Sequence, residues 1–186
     1  ENVKMKKEFE QYITAHTENA LGHVYKVLIN SALVSAQNRN RYYWTSFAVE
    51  QPCDRSVLLE DVIENGLVDR FKSLCVTSRY SGFNGGQSYL RRRYFGKSMG
   101  QAVFNNCAFK DQKAHWKLNP RVDKCVGIIR QMTPKECFRL QTVPEHHINT
   151  LLNAGISNTQ LYKMCGNGWT HDVITHILKH KFNGSK

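Results

Sequence analysis

The chain is predicted to be a mixed α/β protein of two lobes, one carrying a small sheet with helices against it and one irregular. Three observations predict this. Two apolar and aromatic runs, 24–30 and 41–47, read as neighbouring strands behind an amphipathic stretch. Two capping patterns, led by Thr133 and Ser157, start helices in the last third of the chain. Between these regions Gly82, Gly85, Gly86, Gly96 and Gly100 break residues 67–129 into short runs. Residues 1–66 and 158–186 are expected to share the sheet-bearing body, and 67–157 to form the second lobe with its scaffold helix.

Each element has its own reason. Met5, Phe9 and Ile13 recur every fourth residue among lysines and glutamates, the spacing of an amphipathic helix, which should end near Gly22. Residues 24–30 then read as a buried strand and 41–47 as its hairpin partner or neighbour. Val57, Leu58, Val62 and Ile63 follow Ser56 at helical spacing and stop before Gly66, predicting a short capped helix. In the irregular stretch, Arg91, Arg92, Arg93 and Lys97 gather beside Tyr94 and Phe95. Glycines let loops approach another backbone, and arginines beside them supply phosphate contacts or guanine readout. An ordinary basic loop on a small β-rich lobe is the other reading.

Thr133 is placed to cap a helix, Pro134 suits its first position, and Glu136 completes a capping box; Cys137, Phe138 and Leu140 give that helix an apolar side. Ser157-Asn158-Thr159-Gln160 starts another helix, carrying Leu161 and Met164. It runs into Gly166-Asn167-Gly168, after which Val173, Ile174, Ile177 and Leu178 mark the inward stripe of a closing helix.

Composition bounds the partners. A chain of 186 residues with 41% hydrophobic and 22% charged residues is globular and large enough to bury a core. Lys+Arg of 26 against Asp+Glu of 15 gives a formal charge of +11, which favours a polyanion. No apolar run approaches a membrane span and no signal-peptide pattern opens the sequence, so nucleic acid is expected ahead of a membrane surface. The six cysteines show no C-x-x-C pair or zinc-ligand spacing and read as free thiols in a reducing compartment. His176 and His180, four apart on a helix face, are half of a metal site without a third ligand, so a solvated face is preferred and no metal is expected.

The stretch Gln37-Asn38-Arg39-Asn40-Arg41-Tyr42-Tyr43-Trp44 sets two arginines at alternate positions beside a strand-like aromatic run. On an extended strand Gln37, Arg39 and Arg41 would share a face. Two guanidiniums there need an anionic or acceptor-rich partner, such as phosphate oxygens or a pyrimidine carbonyl. A solvated edge strand remains the alternative.

Three further stretches accompany it in order: Glu1-Asn2-Val3 at the start, the run 130–141 (R-Q-M-T-P-K-E-C-F-R-L-Q), and 166–173, which opens Gly166-Asn167-Gly168-Trp169-Thr170. Together the four resemble the later motifs of the cytosine-5 DNA methyltransferases. The form R-Y-Y-W-T and the tryptophan after Gly168 look most like the subgroup that includes the vertebrate de novo enzymes and many phage and bacterial relatives. The resemblance implies part of a Rossmann-like, S-adenosyl-L-methionine-dependent methyltransferase domain with a target-recognition lobe at 67–157.

Much else follows from the resemblance. Methylation of cytosine at carbon 5 needs a nucleophile at carbon 6, a group holding the ring and a flipped base. Glu1 would hold the ring nitrogen and exocyclic amino group, Arg41 the carbonyl, and Arg39 would order the site or a phosphate. Asn167, Gly168 and Trp169 would line the cofactor pocket. Gln37, Arg91, Arg92, Arg93 and Lys97 are the expected contacts to duplex DNA.

The family's glycine-rich cofactor loop and Pro-Cys nucleophile come before E-N-V. The expected partner is therefore an N-terminal methyltransferase half carrying both. Pro52-Cys53 follows the arginine motif in a polar turn and reads as an ordinary loop pair. A non-catalytic DNA-binding or regulatory module that assists a complete methyltransferase is the alternative. Either is expected to be intracellular: cytoplasm or nucleoid in bacteria or phage, nucleus in a eukaryote.

Overall fold

The computed structural model describes residues 1–80, 86–95, 100–105 and 128–183. The sheet of the first body has three antiparallel strands, β1 (Asn2–Val3), β2 (Tyr25–Asn30) and β3 (Asn40–Thr45), in the order β1-β3-β2. β3 is the central strand, so Arg41 is opposite Val3 on one side and Ile29 on the other. That register carries the first motif onto the second.

Helix α1 (Lys7–Leu21) forms where the four-residue spacing predicted it, with Glu8 and Glu10 in its first turn, where acids suit the helix dipole. Gly22, at φ 80°, ends it and donates its N–H to Glu18 O at 2.8 Å. The helix rests on the sheet through polar ties, Trp44 Nε1 donating to Thr14 Oγ1 at 2.9 Å and Lys26 pairing with Glu10. Phe9, expected on the inward side, is 56% exposed, and the helix has no fully buried residue.

The short helix expected after Ser56 does not form. Other groups take its backbone: Leu59 N–H donates to Phe71 O at 2.7 Å and Lys72 Nζ to Val57 O at 2.7 Å across the fold, while locally the Asp61 carboxylate accepts from Leu58 N at 2.7 Å. Leu59 and Val62 are buried all the same, in a turn. Gly66 is required where it stands: at φ 113°, a Cβ there would lie 2.5 Å from Val103 Cγ1.

The middle segment contains α2 (Gln87–Phe95) and a two-stranded antiparallel sheet of β4 (Ala102–Asn105) and β5 (Ile128–Gln131). Helix α3 (Pro134–Leu140) opens with the predicted capping box: Thr133 Oγ1 accepts from Glu136 N, and the Glu136 carboxylate accepts from Thr133 N. Then come α4 (Glu145–Asn153), α5 (Asn158–Asn167), capped by Ser157 as expected, and α6 (His171–Asn183). Helix α4 was not foreseen, although Ile148, Leu151 and Leu152 have helical spacing.

Two apolar clusters organise these elements. One joins Ile29, Val34 and Tyr43 to Val173 and Ile177, so α6 packs with the first sheet. The other gathers Ala36, Leu59, Val62, Phe104, Ile129, Met132, Phe138, Leu140, Ile148 and Leu161. Leu178, expected in the inward stripe of α6, is instead 46% exposed. Among the described residues no helix is long and apolar enough to cross a membrane.

Candidate functional site

The segment leading into β3 is not a regular strand, and this separates the three residues expected on one face. Gln37 bridges Ser73 and is fully buried. Its Oε1 accepts from Val76 N at 2.7 Å, and its Nε2 donates to Leu140 O at 3.3 Å and Gln141 Oε1 at 3.4 Å. A buried amide must satisfy its polar atoms inside. Gln37 is therefore a strut between segments, and the expectation that it contacts DNA is corrected.

Arg39 is also buried. Its Nη1 donates to Val76 O at 3.2 Å and touches Cys75 Sγ at 3.3 Å; its Nη2 donates to Gly168 O at 2.9 Å and Gly166 O at 3.4 Å. The last two carbonyls are at the end of α5, where helix carbonyls lack intrahelical partners and the dipole is negative. Arg39 thus clamps the entry to β3, the loop at 75–76 and the C-terminus of α5 together. Its Nε is buried with no hydrogen-bond partner among the described residues. Of the two roles expected for Arg39, this burial favours ordering the site over meeting a phosphate.

Arg41 faces Glu1. The Nε to Glu1 Oε1 distance is 3.0 Å, and both side chains are 14% exposed. Nη1 donates to Asn40 O at 2.8 Å, and Nη2 is 3.8 Å from Cys75 Sγ. The thiol of Cys75 therefore touches both guanidiniums, a placement with no signal in the sequence. Tyr43 is buried beside them; burial first, and the Glu1 charge second, push its phenol up to about 12 despite the lowering influence of Arg39 and Arg41.

The junction of α5 and α6 departs from expectation. Gly166 and Asn167 complete the last turn of α5, and Gly168 ends it by donating its N–H to Met164 O at 2.8 Å. The first donors of α6 are taken as well, His171 N by Gln141 O at 2.8 Å and Asp172 N by Thr142 Oγ1 at 2.9 Å. The backbone donors that a cofactor could have met here are thus already used, by Met164, Gln141 and Thr142. What remains open is the Asn167 side chain and the Trp169 ring, which is 56% exposed. Thr170, which the sequence did not single out, is buried and bonds Ser31 Oγ at 2.8 Å and Gln141 Oε1 at 2.9 Å.

The basic cluster is on a helix rather than in a loop. Arg92 is exposed and Arg93 partly so, and both guanidiniums stand about 6 Å from the Tyr89 ring centre, at 6.0 and 5.9 Å. Lys97 and the side chain of Arg91 lie outside the described residues. His176 Nε2 donates to Glu50 O at 2.9 Å, and the His176 ring meets the His180 ring at 4.7 Å between centres. Among the described residues no three His, Cys, Asp or Glu side chains could hold a metal.

A family model described as C-5 cytosine-specific DNA methylase matches residues 70–183. The chain belongs to this family. An orphan methyltransferase of Bacillus phage rho11s is 49% identical over 51 residues, 27% of this chain and 10% of that protein. One from Bacillus phage SPR is 49% identical over 51 residues, 12% of its length. The chain thus matches about a tenth of the length of these phage relatives.

Two solved structures share the fold of this methylase family member across 97% of the chain. A methyltransferase of Entamoeba histolytica has a TM-score of 0.61 at 14% identity, and a DNMT2 variant of Spodoptera frugiperda has 0.57 at 17%. The chain spans 59% and 65% of those proteins. The α/β methyltransferase fold expected from the motifs is the fold of this chain.

Proposed function

We propose that this chain supplies the target-base side of a DNA (cytosine-5-)-methyltransferase, acting on a flipped cytosine in duplex DNA together with an N-terminal half that carries the glycine loop and the Pro-Cys nucleophile. The observation that carries the reading is the Glu1–Arg41 ion pair at 3.0 Å, recessed but not sealed. Glu1 Oε1 faces Arg41, which leaves Oε2 toward the cytosine edge, where it would accept from the exocyclic amino group and, once Glu1 has taken up a proton from solvent, hand that proton to the ring nitrogen. Arg41 spends Nε on Glu1 and one Nη1 hydrogen on Asn40 O, so guanidinium hydrogens remain for the base carbonyl, where charge builds as the nucleophile adds. Arg39 holds the frame in which Arg41 is set.

S-adenosyl-L-methionine fits the α5–α6 junction in a restricted way. The exposed Trp169 ring offers a stacking face and the Asn167 amide offers donor and acceptor atoms, whereas both backbone polar groups of Gly168 are occupied internally. When bound, the cofactor would supply the electrophilic methyl group. Arg92 and Arg93 on α2, with Arg91 and Lys97, would contact the duplex backbone.

The test is a tritiated S-adenosyl-L-methionine assay on duplex DNA. The isolated chain should transfer nothing, and the chain mixed with a matching N-terminal half should methylate cytosine. Transfer by the isolated chain would refute the dependence on a partner, and a well-assembled but inactive mixture would refute the catalytic reading.

A further inference from the structure

Among the described residues, the basic helix α2 is attached to the rest of the protein by polar ties at Gln87 and Tyr94 and by the apolar packing of Leu90, Tyr94 and, less buried, Tyr89. Near its start, Gln87 Nε2 donates to Ile129 O at 2.9 Å while Gln87 Oε1 accepts from Ile129 N at 2.8 Å, so the side chain extends the edge of β5. In its middle Leu90 is buried in the larger apolar cluster. Near its end the Tyr94 ring meets Phe104 of β4 edge-on at 5.4 Å and its hydroxyl donates to Asp69 Oδ2. Gln87, Leu90 and Tyr94 fall on one face of a helix, and Arg92 falls roughly opposite.

Asp69 is the hub of the last attachment. Its Oδ1 accepts from Arg70 Nε at 3.0 Å and Gln101 Nε2 at 3.1 Å, and its Oδ2 accepts from Arg70 Nη2 at 2.9 Å as well as from Tyr94. Arg70 Nη2 also donates to the Tyr94 hydroxyl at 3.0 Å. Gln101 is itself buried and donates to Ala102 O at 2.9 Å, which ties the same carboxylate to the start of β4. A carboxylate with four donors, two of them from one fork-shaped guanidinium, is held in a single orientation and passes that orientation to its partners.

We propose that Asp69, acting through Tyr94, is a positioning residue that fixes the rotation of α2 and so aims Arg92 and Arg93 at the DNA backbone. This rests on the reading of α2 as a duplex contact. Neither residue touches DNA in the role assigned to it. Loss of the Asp69–Tyr94 contact lets α2 turn about the Gln87 and Leu90 attachments, so the arginines no longer meet phosphates together.

The experiment measures binding of the whole chain to a fluorescein-labelled duplex by anisotropy across a salt series, for wild type, Asp69→Asn, Tyr94→Phe and the pair Arg92→Ala with Arg93→Ala. Melting temperature and the DNA-binding-competent fraction are recorded for each. Tyr94→Phe keeps the ring on Phe104 and removes only the hydroxyl, so it carries the test if Asp69→Asn does not fold. The expected result is about tenfold weaker binding by the folded fraction and a salt slope lowered by about one in Tyr94→Phe and Asp69→Asn, in the direction of the arginine pair. A merely structural role would lower melting temperature and competent fraction but leave the affinity and slope of the folded protein at wild-type values, and that outcome overturns the proposal. If the arginine pair itself leaves affinity and slope unchanged, α2 is not a duplex contact and the positioning role goes with it. A weakened arginine pair beside wild-type behaviour of both latch variants refutes the positioning alone.

Discussion

Replacing Arg39 with alanine should be among the most damaging single changes in the chain, although its sequence motif alone suggests a residue that faces an anion. The side chain is 3% exposed and serves four acceptors: Val76 O, Gly166 O, Gly168 O and Cys75 Sγ. Arg39→Ala takes a charged donor from three carbonyls, at about 1.5–3 kcal/mol for each such bond, and leaves Gly166 O and Gly168 O to find water while Val76 O keeps only the Cys75 thiol at 3.5 Å. These overlap, so a net loss of about 4 kcal/mol is expected against a total stability of about 5–15 kcal/mol.

With a urea m-value of about 2 kcal/mol/M, the midpoint should fall by about 2 M. Arg39→Lys, which presents one compact ammonium in place of the fork, should lose about half as much. Equilibrium urea unfolding followed by far-ultraviolet circular dichroism and by tryptophan fluorescence checks both. Trp169 stands next to the clamped Gly168, so the two probes should move together. A midpoint within about 0.3 M of wild type for Arg39→Ala would refute the clamp and return Arg39 to a solvent- or ligand-facing role.

Gly166→Ala should fold poorly or not at all, because the new Cβ would lie 2.0 Å from Ser78 N and 2.2 Å from Thr77 C, where only backbone can yield; a wild-type melting temperature would refute that close approach. For Asp69, burial raises the carboxyl pKa, but hydrogen bonds from Arg70 and Tyr94 outweigh it and leave it lowered. A folded pKa below the unfolded one stabilises fully above the unfolded value of about 3.9 and loses that contribution as pH falls through the folded value. Asp69→Asn should therefore flatten the acid side of the stability profile, and an unaltered acid side would refute the assignment. Among the described cysteines, exposed Cys53 should react first with a thiol reagent, whereas Cys137 and Cys165, buried and with their thiol pKa raised chiefly by that burial, should wait for unfolding; equal rates by mass spectrometry would contradict the packing.

The parts that could be read from the sequence are those whose signal is local. The Thr133 box, the Ser157 cap and the Gly22 stop each depend on residues within a turn of one another, and each is present. The hairpin of β2 and β3 followed from two apolar runs at short separation. Ser56 and the residues after it carried an equally good local pattern. There, however, Lys72 and Phe71 capture the backbone groups that a helix needs.

The site divides in the same way. Arg39 and Arg41 were visible as a motif, but their division of labour was not, because alternation in sequence puts them on one face only if the strand is regular through Gln37. It is regular only from Asn40. Cys75 was invisible for a related reason: it reaches the two arginines through chain reversals that leave no periodic trace. Asp69 and Tyr94, twenty-five positions apart, meet through such reversals too.

The most direct test of the Glu1–Arg41 pair as the cytosine-holding site is the methyl-transfer rate of the assembled enzyme carrying Arg41→Ala, at matched assembly and matched DNA affinity. Removing a donor that acts where charge develops should lower the rate about a hundredfold or more, and Glu1→Gln, which cannot deliver a proton to the ring, should fall at least as far. An assembled enzyme whose rate is indifferent to Arg41→Ala would contradict the site.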